Sequence, residues 1–329
     1  MKRKILMFIS GMGILCSLWS CKNGDISFPD YENGTTAYFA YQYPVRTIVL
    51  GTDEYDTTLD KEHKCQIYAT FGGSYNGSNG TLEIAVDETL VNNLYFDEEF
   101  ENPVKAMPRN YYELSSNTMP FNGTMNGIVT VQLTDAYFAD PNSVKETYVI
   151  PVVITGQTGF GSILTGTPVE GQNGPRTDAS AWEVQPKDYV LYCVKYQNRY
   201  AGFWLTNGNM STENIEKANI VEIKTKSLNQ AVYHFSDQDG ATLYDADLLL
   251  DFSGDDCKIS CMTDNATVTG SGSFGEKSEK KAWGNKDRDG LELNYTIKFA
   301  DGFTKSVHEK LVWQRSGVTI EEFAPVYKK

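Results

Sequence analysis

Histidine is scarce in this chain: three among 329 residues, His63, His234 and His308, far apart in sequence. No CxxC or HxxxH spacing occurs, so a zinc site of the usual kind has no ligand set. GxSxG, a Walker A loop, HExxH and any Cys/His pairing are missing too. That removes the common routes to nucleophilic, phosphoryl-transfer and zinc-hydrolase chemistry. The expectation is a protein with no catalytic residue, no metal and no cofactor. Positive charge is also in deficit, with 29 Lys and Arg against 43 Asp and Glu and a net charge of −14. A surface of that sign repels nucleic acid and anionic lipid headgroups and favours solubility.

Long apolar runs are confined to the start. After Lys2, Arg3 and Lys4 an apolar stretch runs from Ile5 to Leu18, about 14 residues against the roughly 20 needed to span a bilayer as a helix. A basic start, a short apolar segment and small residues before a cut site describe a secretion signal. Leu18, Trp19, Ser20 and Cys21 resemble the bacterial lipobox, in which the cysteine is acylated and becomes the new N-terminus. The reading is a signal peptide over residues 1–20 and lipidation at Cys21. Each buried CH₂ contributes about 0.8 kcal/mol, so two or three acyl chains anchor stably. Residues 21–35 are polar and turn-rich, a tether between lipid and fold.

From Ala37 onward short β-rich runs alternate with Gly, Asn, Asp and Pro, among them "CQIYATFG", "TLEIAVD", "GIVTVQLT" and "TYVIPVVIT". Length, alternation and turn spacing predict an all-β sandwich over residues 36–155. Pro151 cannot donate to a ladder and predicts an edge strand or a bulge. Asp87 is placed to cap one helical turn. Residues 156–181, dominated by Gly, Thr, Ser and Pro, read as a linker between domains. From 182 to 329 hairpin-linked strands with Asp-Gly turns predict an up-and-down β-barrel.

Three motifs have plainer explanations than their signatures suggest. "GSGSFG" (Gly270–Gly275) matches the dinucleotide fingerprint but sits in an alternating strand pattern with no helix after it. "NKDRDG" (Asn285–Gly290) spaces Asp287 and Asp289 as an EF-hand loop would, yet position twelve is Thr296. A β-turn fits better, and a loosely held Ca²⁺ stays open. "FDEEFE" (Phe96–Glu101) reads as a solvated acidic loop rather than a pair of hydrolytic carboxylates. Cys257 and Cys261 are roughly 13 Å apart along an extended chain. Buried thiols are therefore favoured over disulfides among these two, Cys65 and Cys193.

The tryptophans that follow the leader all lie in the second half: Trp182, Trp204, Trp283 and Trp313. Exposed large aromatics mark binding surfaces, and an indole ring pairs well with the apolar face of a sugar. Trp283, in the charged stretch "EKKAWGNKD", is the first candidate ligand contact. Trp204 and Tyr200, in "YQNRYAGFW", are second, because part of that strand must face a core.

"YVIPVVIT" (Tyr148–Thr155), "SILTG" (Ser162–Gly166), "VQLTDAYFAD" (Val131–Asp140) and residues 188–208 resemble lipoproteins carrying domain of unknown function 1735. "AWGNKDRDGL" (Ala282–Leu291) and "LVWQRSGVTIEEFAPVYK" (Leu311–Lys328) are similar to the lipocalin-like C-terminal domain of that family. The resemblance implies an immunoglobulin-like sandwich followed by a lipocalin/calycin-like barrel. It also implies a setting in glycan-uptake loci: an outer-membrane, cell-surface lipoprotein that binds an oligo- or polysaccharide beside a glycan transporter complex. "CKNGD" carries few acids after Cys21, which leaves a periplasmic orientation open. The competing readings are a barrel that carries an apolar ligand and a structural or adhesive surface protein. A barrel filled with side chains disfavours the carrier. Cys21→Ser should leave the precursor unacylated and soluble; fatty-acid labelling with membrane fractionation tests this, and a labelled, membrane-bound variant refutes the lipobox.

Overall fold

The computed structural model describes residues 30–329 apart from 33 and 173. The leader, Cys21 and most of the tether lie outside the described residues.

The first domain contains β1 (Thr36–Tyr38), β2 (Pro44–Val49), β3 (Lys64–Gly72), β4 (Thr81–Val86), β5 (Leu94–Tyr95), β6 (Lys105–Ala106) and β7 (Tyr112–Leu114). It continues with β8 (Thr118–Pro120), β9 (Asn126–Leu133), β10 (Tyr148–Thr158), β11 (Ser162–Ile163), β12 (Thr167–Pro168), β13 (Trp182–Val184) and β14 (Tyr189–Gln197). The second contains β15 (Gly202–Thr206), β16 (Asn219–Ser227), β17 (Gln230–Asp239), β18 (Thr242–Ser253), β19 (Asp256–Cys261), β20 (Ala266–Trp283), β21 (Lys286–Phe299) and β22 (Thr304–Arg315). Two short strands, β23 (Glu321–Glu322) and β24 (Val326–Tyr327), close the chain.

One sheet of the sandwich runs β11-β1-β3-β9-β7, the other β23-β2-β14-β10-β4-β8. On β3 the residues Cys65, Ile67, Ala69 and Phe71 point inward and meet Ile150, Val152 and Ile154 of β10 in a shared core. The second sheet is buried on both faces. Its outer face, with Val149, Leu191 and Cys193, is covered by Leu90, Leu94, Val104 and Phe323. This is why "YVIPVVIT" and "YVLYCVKY" read as unbroken apolar runs rather than alternating ones. Pro151 therefore lies inside the sheet, opposite Leu191 of β14, not at an edge. Its carbonyl accepts from the Asp87 N–H just past the end of β4. The strand does carry a bulge, between Ile154 and Gly156. Asp87 caps the 3₁₀ turn Glu88–Val91 by accepting from the Thr89 N–H at 3.0 Å.

The domain boundary differs from the expected one. β14 lies between β10 and β2 in the sandwich, antiparallel to the first and parallel to the second. The barrel begins only at Gly202. Residues 156–181 are an excursion of the sandwich, not a linker. β11 pairs with β1, β12 pairs with β13, and Arg176 grips buried Asp188 through paired bonds of 3.0 and 3.0 Å. The Gly content of this stretch marks turns: Gly159, Gly166 and Gly171 have φ of 80°, 77° and 75°. The true joint is Asn198–Ala201. Asn198 is buried; its Nδ2 donates to the Ser227 and Gln230 carbonyls at 2.7 and 2.9 Å. Its Oδ1 accepts the Tyr200 and Ala201 N–H groups at 3.1 and 3.0 Å.

Strands β15 to β22 close in sequential order into an eight-stranded barrel. Its interior is filled by Tyr200, Trp204, Phe235, Phe252, Phe274, Tyr295, Trp313 and a set of Leu and Ile side chains. "GSGSFG" lies within β20 as a strand. A Cβ on Gly270 would come within 2.3 Å of the Tyr295 Cβ, so glycine permits the close strand approach. Cys65, Cys193, Cys257 and Cys261 are free thiols, and burial pushes Cys65 and Cys193 up to about 12 and Cys257 to about 11. Two carboxylates on barrel strands are buried, Asp289 and Glu309, and Glu309 accepts from Thr206 Oγ1 and Tyr233 OH, each at 3.0 Å. Burial outweighs the two hydroxyl donors and raises its pKa.

Two predictions follow from these buried groups. Asn198→Ala removes partners from several buried backbone groups, each costing about 1–3 kcal/mol, and should lower the chemical-denaturation midpoint markedly. For Glu309 the folded pKa lies above the unfolded one, so its contribution favours folding at low pH and is lost as pH rises through the raised value. Glu309→Gln should flatten that decline in Tm, while Glu309→Ala should destabilise at every pH by stranding the Tyr233 and Thr206 hydroxyls. An unchanged pH profile for Glu309→Gln would refute the assignment.

Candidate functional site

The expected ligand contacts are packed. Trp204 is fully buried inside the barrel, its Nε1 donating to the Tyr200 carbonyl at 3.1 Å. Tyr200 lies flat on Phe252 with ring centroids 3.5 Å apart, and its hydroxyl donates to the Gly254 carbonyl. Neither ring has a face to offer a sugar. Trp283 is half-buried against Leu205, Ile215 and Val312, with the Arg288 guanidinium 4.7 Å from its ring centroid and 5.6 Å from that of Trp313. This apolar seat and cation–π stack explain the ring by packing, which corrects its assignment as an exposed binding residue.

The charged stretch around Trp283 is not a free loop. Gly275, Glu279 and Trp283 pair with Gly290, Arg288 and Lys286, so nine residues of β20 oppose five of β21. Lys277 and Lys281, four residues apart, adopt φ of 49° and 48°, and Gly284 and Asn285 of the closing turn have φ of 61° and 54°. Successive bulges of this kind coil a hairpin strongly. The acids of "NKDRDG" serve this coil: Asp289 accepts the Lys277 N–H at 2.8 Å and Asp287 the Lys281 N–H at 3.1 Å. In "FDEEFE", Asp97 accepts the Glu101 and Asn102 N–H groups at 2.9 and 2.8 Å, which helps hold its carboxyl below the usual range against slight desolvation.

Exposed aromatic surface appears instead on the sandwich. Tyr41, Tyr55 and Tyr68 are 64%, 74% and 50% exposed, and Ile320 is fully exposed. A groove of about 430 Å³ runs between β2 and β3, with Tyr41, Arg46, Gln66, Tyr68 and Ile320 on its rim and Ile67, Val190 and Tyr192 deeper. A second hollow of about 260 Å³ adjoins it through Arg46 and Ile320 and adds Asp53, Tyr55 and Asp56. Strand alternation aims Tyr68 outward: Gln66, Tyr68 and Thr70 oppose the inward Cys65, Ile67 and Ala69. The Tyr68 hydroxyl donates to Gln66 Oε1 at 2.5 Å. Arg46 is paired with Asp60, which is buried and also accepts the Val49 N–H at 2.8 Å. Burial raises the Asp60 carboxyl, while the Val49 N–H and Arg46 pull it down.

This constellation offers flat apolar rings, amide and guanidinium hydrogen-bonding groups and no proton-transfer pair poised around an open centre. It can bind a molecule with alternating apolar and hydroxylated faces. The cleft at the joint of the two domains, about 480 Å³, is different in kind. Lys195 is held between Glu146 and Glu321 at 3.2 and 2.8 Å, and Arg315 covers the Phe203 ring at 4.0 Å. Lys195 and Lys224 are both ion-paired to carboxylates of the same cleft, which lies as a seam where the domains meet.

The tyrosines of the groove escaped the sequence reading, which weighted tryptophan. Tyr68 carries a legible signal, an aromatic out of phase with the apolar positions of its own strand. Tyr41 and Tyr55 stand in turn-rich stretches with no apolar periodicity to claim them.

The model for Domain of unknown function (DUF5627) matches residues 204–317, which is the barrel. A second model, of an N-terminal domain, matches residues 31–161 in the sandwich. No curated protein matches the chain. Among solved structures, a protein of unknown function from Bacteroides ovatus, determined at 2.40 Å, is 35% identical with a TM-score of 0.81, over 91% of this chain and 100% of that one. A protein from Bacteroides ovatus ATCC 8483, provisionally named as carbohydrate-binding, aligns over 88% of this chain and 99% of that one at 10% identity and a TM-score of 0.28. That likeness is too slight to carry fold or function. The first is decisive for kinship: the chain belongs to the family of the Bacteroides ovatus protein of unknown function, with a DUF5627 barrel behind its N-terminal sandwich.

Proposed function

We propose that this chain is a lipid-anchored cell-envelope protein that binds glycans without turning them over, and that the tyrosine-rimmed groove of the sandwich is its glycan site. The observation that carries this reading is the exposure of Tyr41, Tyr55 and Tyr68 around two adjoining hollows that share Arg46 and Ile320, the first of which also holds Gln66. Stacking a sugar's C–H face on a phenol ring removes hydrated apolar surface from both partners, while the amide and guanidinium meet its hydroxyls. A shallow site of this kind binds in the millimolar to micromolar range, about −4 to −8 kcal/mol.

Anchoring through acylated Cys21 and a place beside an outer-membrane glycan transporter belong to the same proposal. They rest on the lipobox and on the resemblance to the domain-1735 lipoproteins. The carrier alternative loses support because the barrel interior is occupied by its own Tyr, Phe, Trp and Leu side chains.

Tyr41→Ala and Tyr68→Ala should each weaken retention on a polysaccharide affinity gel or array while leaving stability within about 0.5 kcal/mol, as expected for surface positions. Trp283→Ala should do the reverse, lowering Tm and sparing binding. Binding that survives both tyrosine variants and disappears with Trp283→Ala would return the site to the barrel.

A further inference from the structure

The charges around the groove sort glycans by their own charge. Arg46 is the one cation among the described residues that line the two joined hollows. Its charge is already balanced by Asp60, one Nη donating to that carboxylate and the other to the Thr47 carbonyl. Asp60 is buried and ion-paired, so this pair presents little net field to a ligand. Two further carboxylates line the adjoining hollow; among the described residues neither is in a salt bridge, and the one cation whose charge acts on Asp56, Lys61, lies outside the lining. Asp56 is exposed, accepts the Thr58 hydroxyl and N–H at 2.6 and 2.9 Å, and its carboxyl is held below the usual range mainly by the Thr58 hydroxyl. Asp53 accepts the Glu54 N–H at 2.6 Å and the Ser316 hydroxyl at 3.0 Å. Around a site whose other contacts include tyrosine rings, Gln66 and Ile320, the unbalanced charge of the lining is negative, on a chain of net charge −14.

Resting on the glycan-binding reading above, we infer that the groove selects uncharged oligosaccharides and discriminates against uronic-acid and sulfated ones, with Asp56 and Asp53 supplying the repulsion. An anionic sugar placed over the rings must approach these carboxylates with no free cation among the described lining residues to receive it. A neutral sugar meets only hydroxyl-accepting oxygens there, which are useful to it. Repulsion between exposed charges is screened by salt, so the discrimination should be largest at low ionic strength.

The test uses the intact protein and matched probes: starch, β-glucan, mannan and galactan, each alongside its C6-carboxylated derivative and the methyl ester of that derivative. Affinity electrophoresis and calorimetry at low and high salt give the readout. For any backbone retained in neutral form, the carboxylated form should bind about tenfold more weakly at low salt. Methyl esterification should restore binding, and added salt should narrow the gap. Asp56→Asn, which keeps the turn's hydrogen-bond acceptor, should narrow it at low salt by strengthening binding of the carboxylated form, with a smaller change for the neutral form. Equal or tighter binding of the carboxylated form overturns the charge inference and leaves glycan binding standing. A gap that Asp56→Asn leaves untouched overturns the role of that carboxylate. No retention of any probe, with wild type and Tyr68→Ala indistinguishable, overturns the glycan reading and the selectivity with it.

Discussion

The chain passes from sandwich to barrel through four residues, and the side chain of Asn198 makes that passage rigid. Both amide hydrogens go to carbonyls on the β16–β17 turn of the barrel, and the amide oxygen takes the two N–H groups that begin the descent into β15. The backbone N–H of the same residue donates to Thr225 Oγ1 at 3.0 Å. A buried amide with its hydrogen bonds made in full specifies one geometry, because each partner displaced would stay unpaired away from water. Asn198 follows directly on β14, a central strand of the sandwich, so the barrel hangs from the sandwich core rather than from a linker.

Two further contacts close the same junction from other directions. Thr52 Oγ1 donates to Asp289 at 3.1 Å, and the Ser316 hydroxyl donates to Asp53 at 3.0 Å. Asp289 is also the acceptor that holds the first bulge of β20. The coiled hairpin and the 50–57 loop are thus tied by one buried carboxylate, and disturbing either should be felt by the other.

What could be read in the sequence follows from how local each determinant is. The eight barrel strands, the strand identity of "GSGSFG" and the Asp87 turn depend on neighbours within a few residues, and all were legible. The place of β14 was not, because its pairing with β2 spans about 150 positions and nothing local distinguishes it from a first barrel strand. The Gly-rich segment misled for a related reason: glycine marks turns equally in a linker and in an excursion that packs back on its own domain. Trp283 misled because its seat is made by Leu205, Ile215 and Val312, residues distant in sequence, while apart from Ala282 and Gly284 its near neighbours are polar or charged. The outward phase of Tyr68 on β3 was available and outweighed by attention to tryptophan.

The filled barrel and the open groove then divide the labour between the domains. A barrel with Trp204, Trp313 and Phe274 in its interior is a solid body, suited to bearing on its neighbour rather than enclosing a ligand. It bears on the groove at both ends. Val318 and Ile320 reach the groove on the segment that leaves β22, and Asp53 and Tyr55 reach it on the loop that Asp289 and Ser316 hold. Binding surfaces assembled from loops gain affinity when the loops are ordered in advance, since less conformational entropy is lost on association. On the proposed reading the barrel contributes to recognition without touching the ligand, by fixing two of the segments that line the groove of the sandwich.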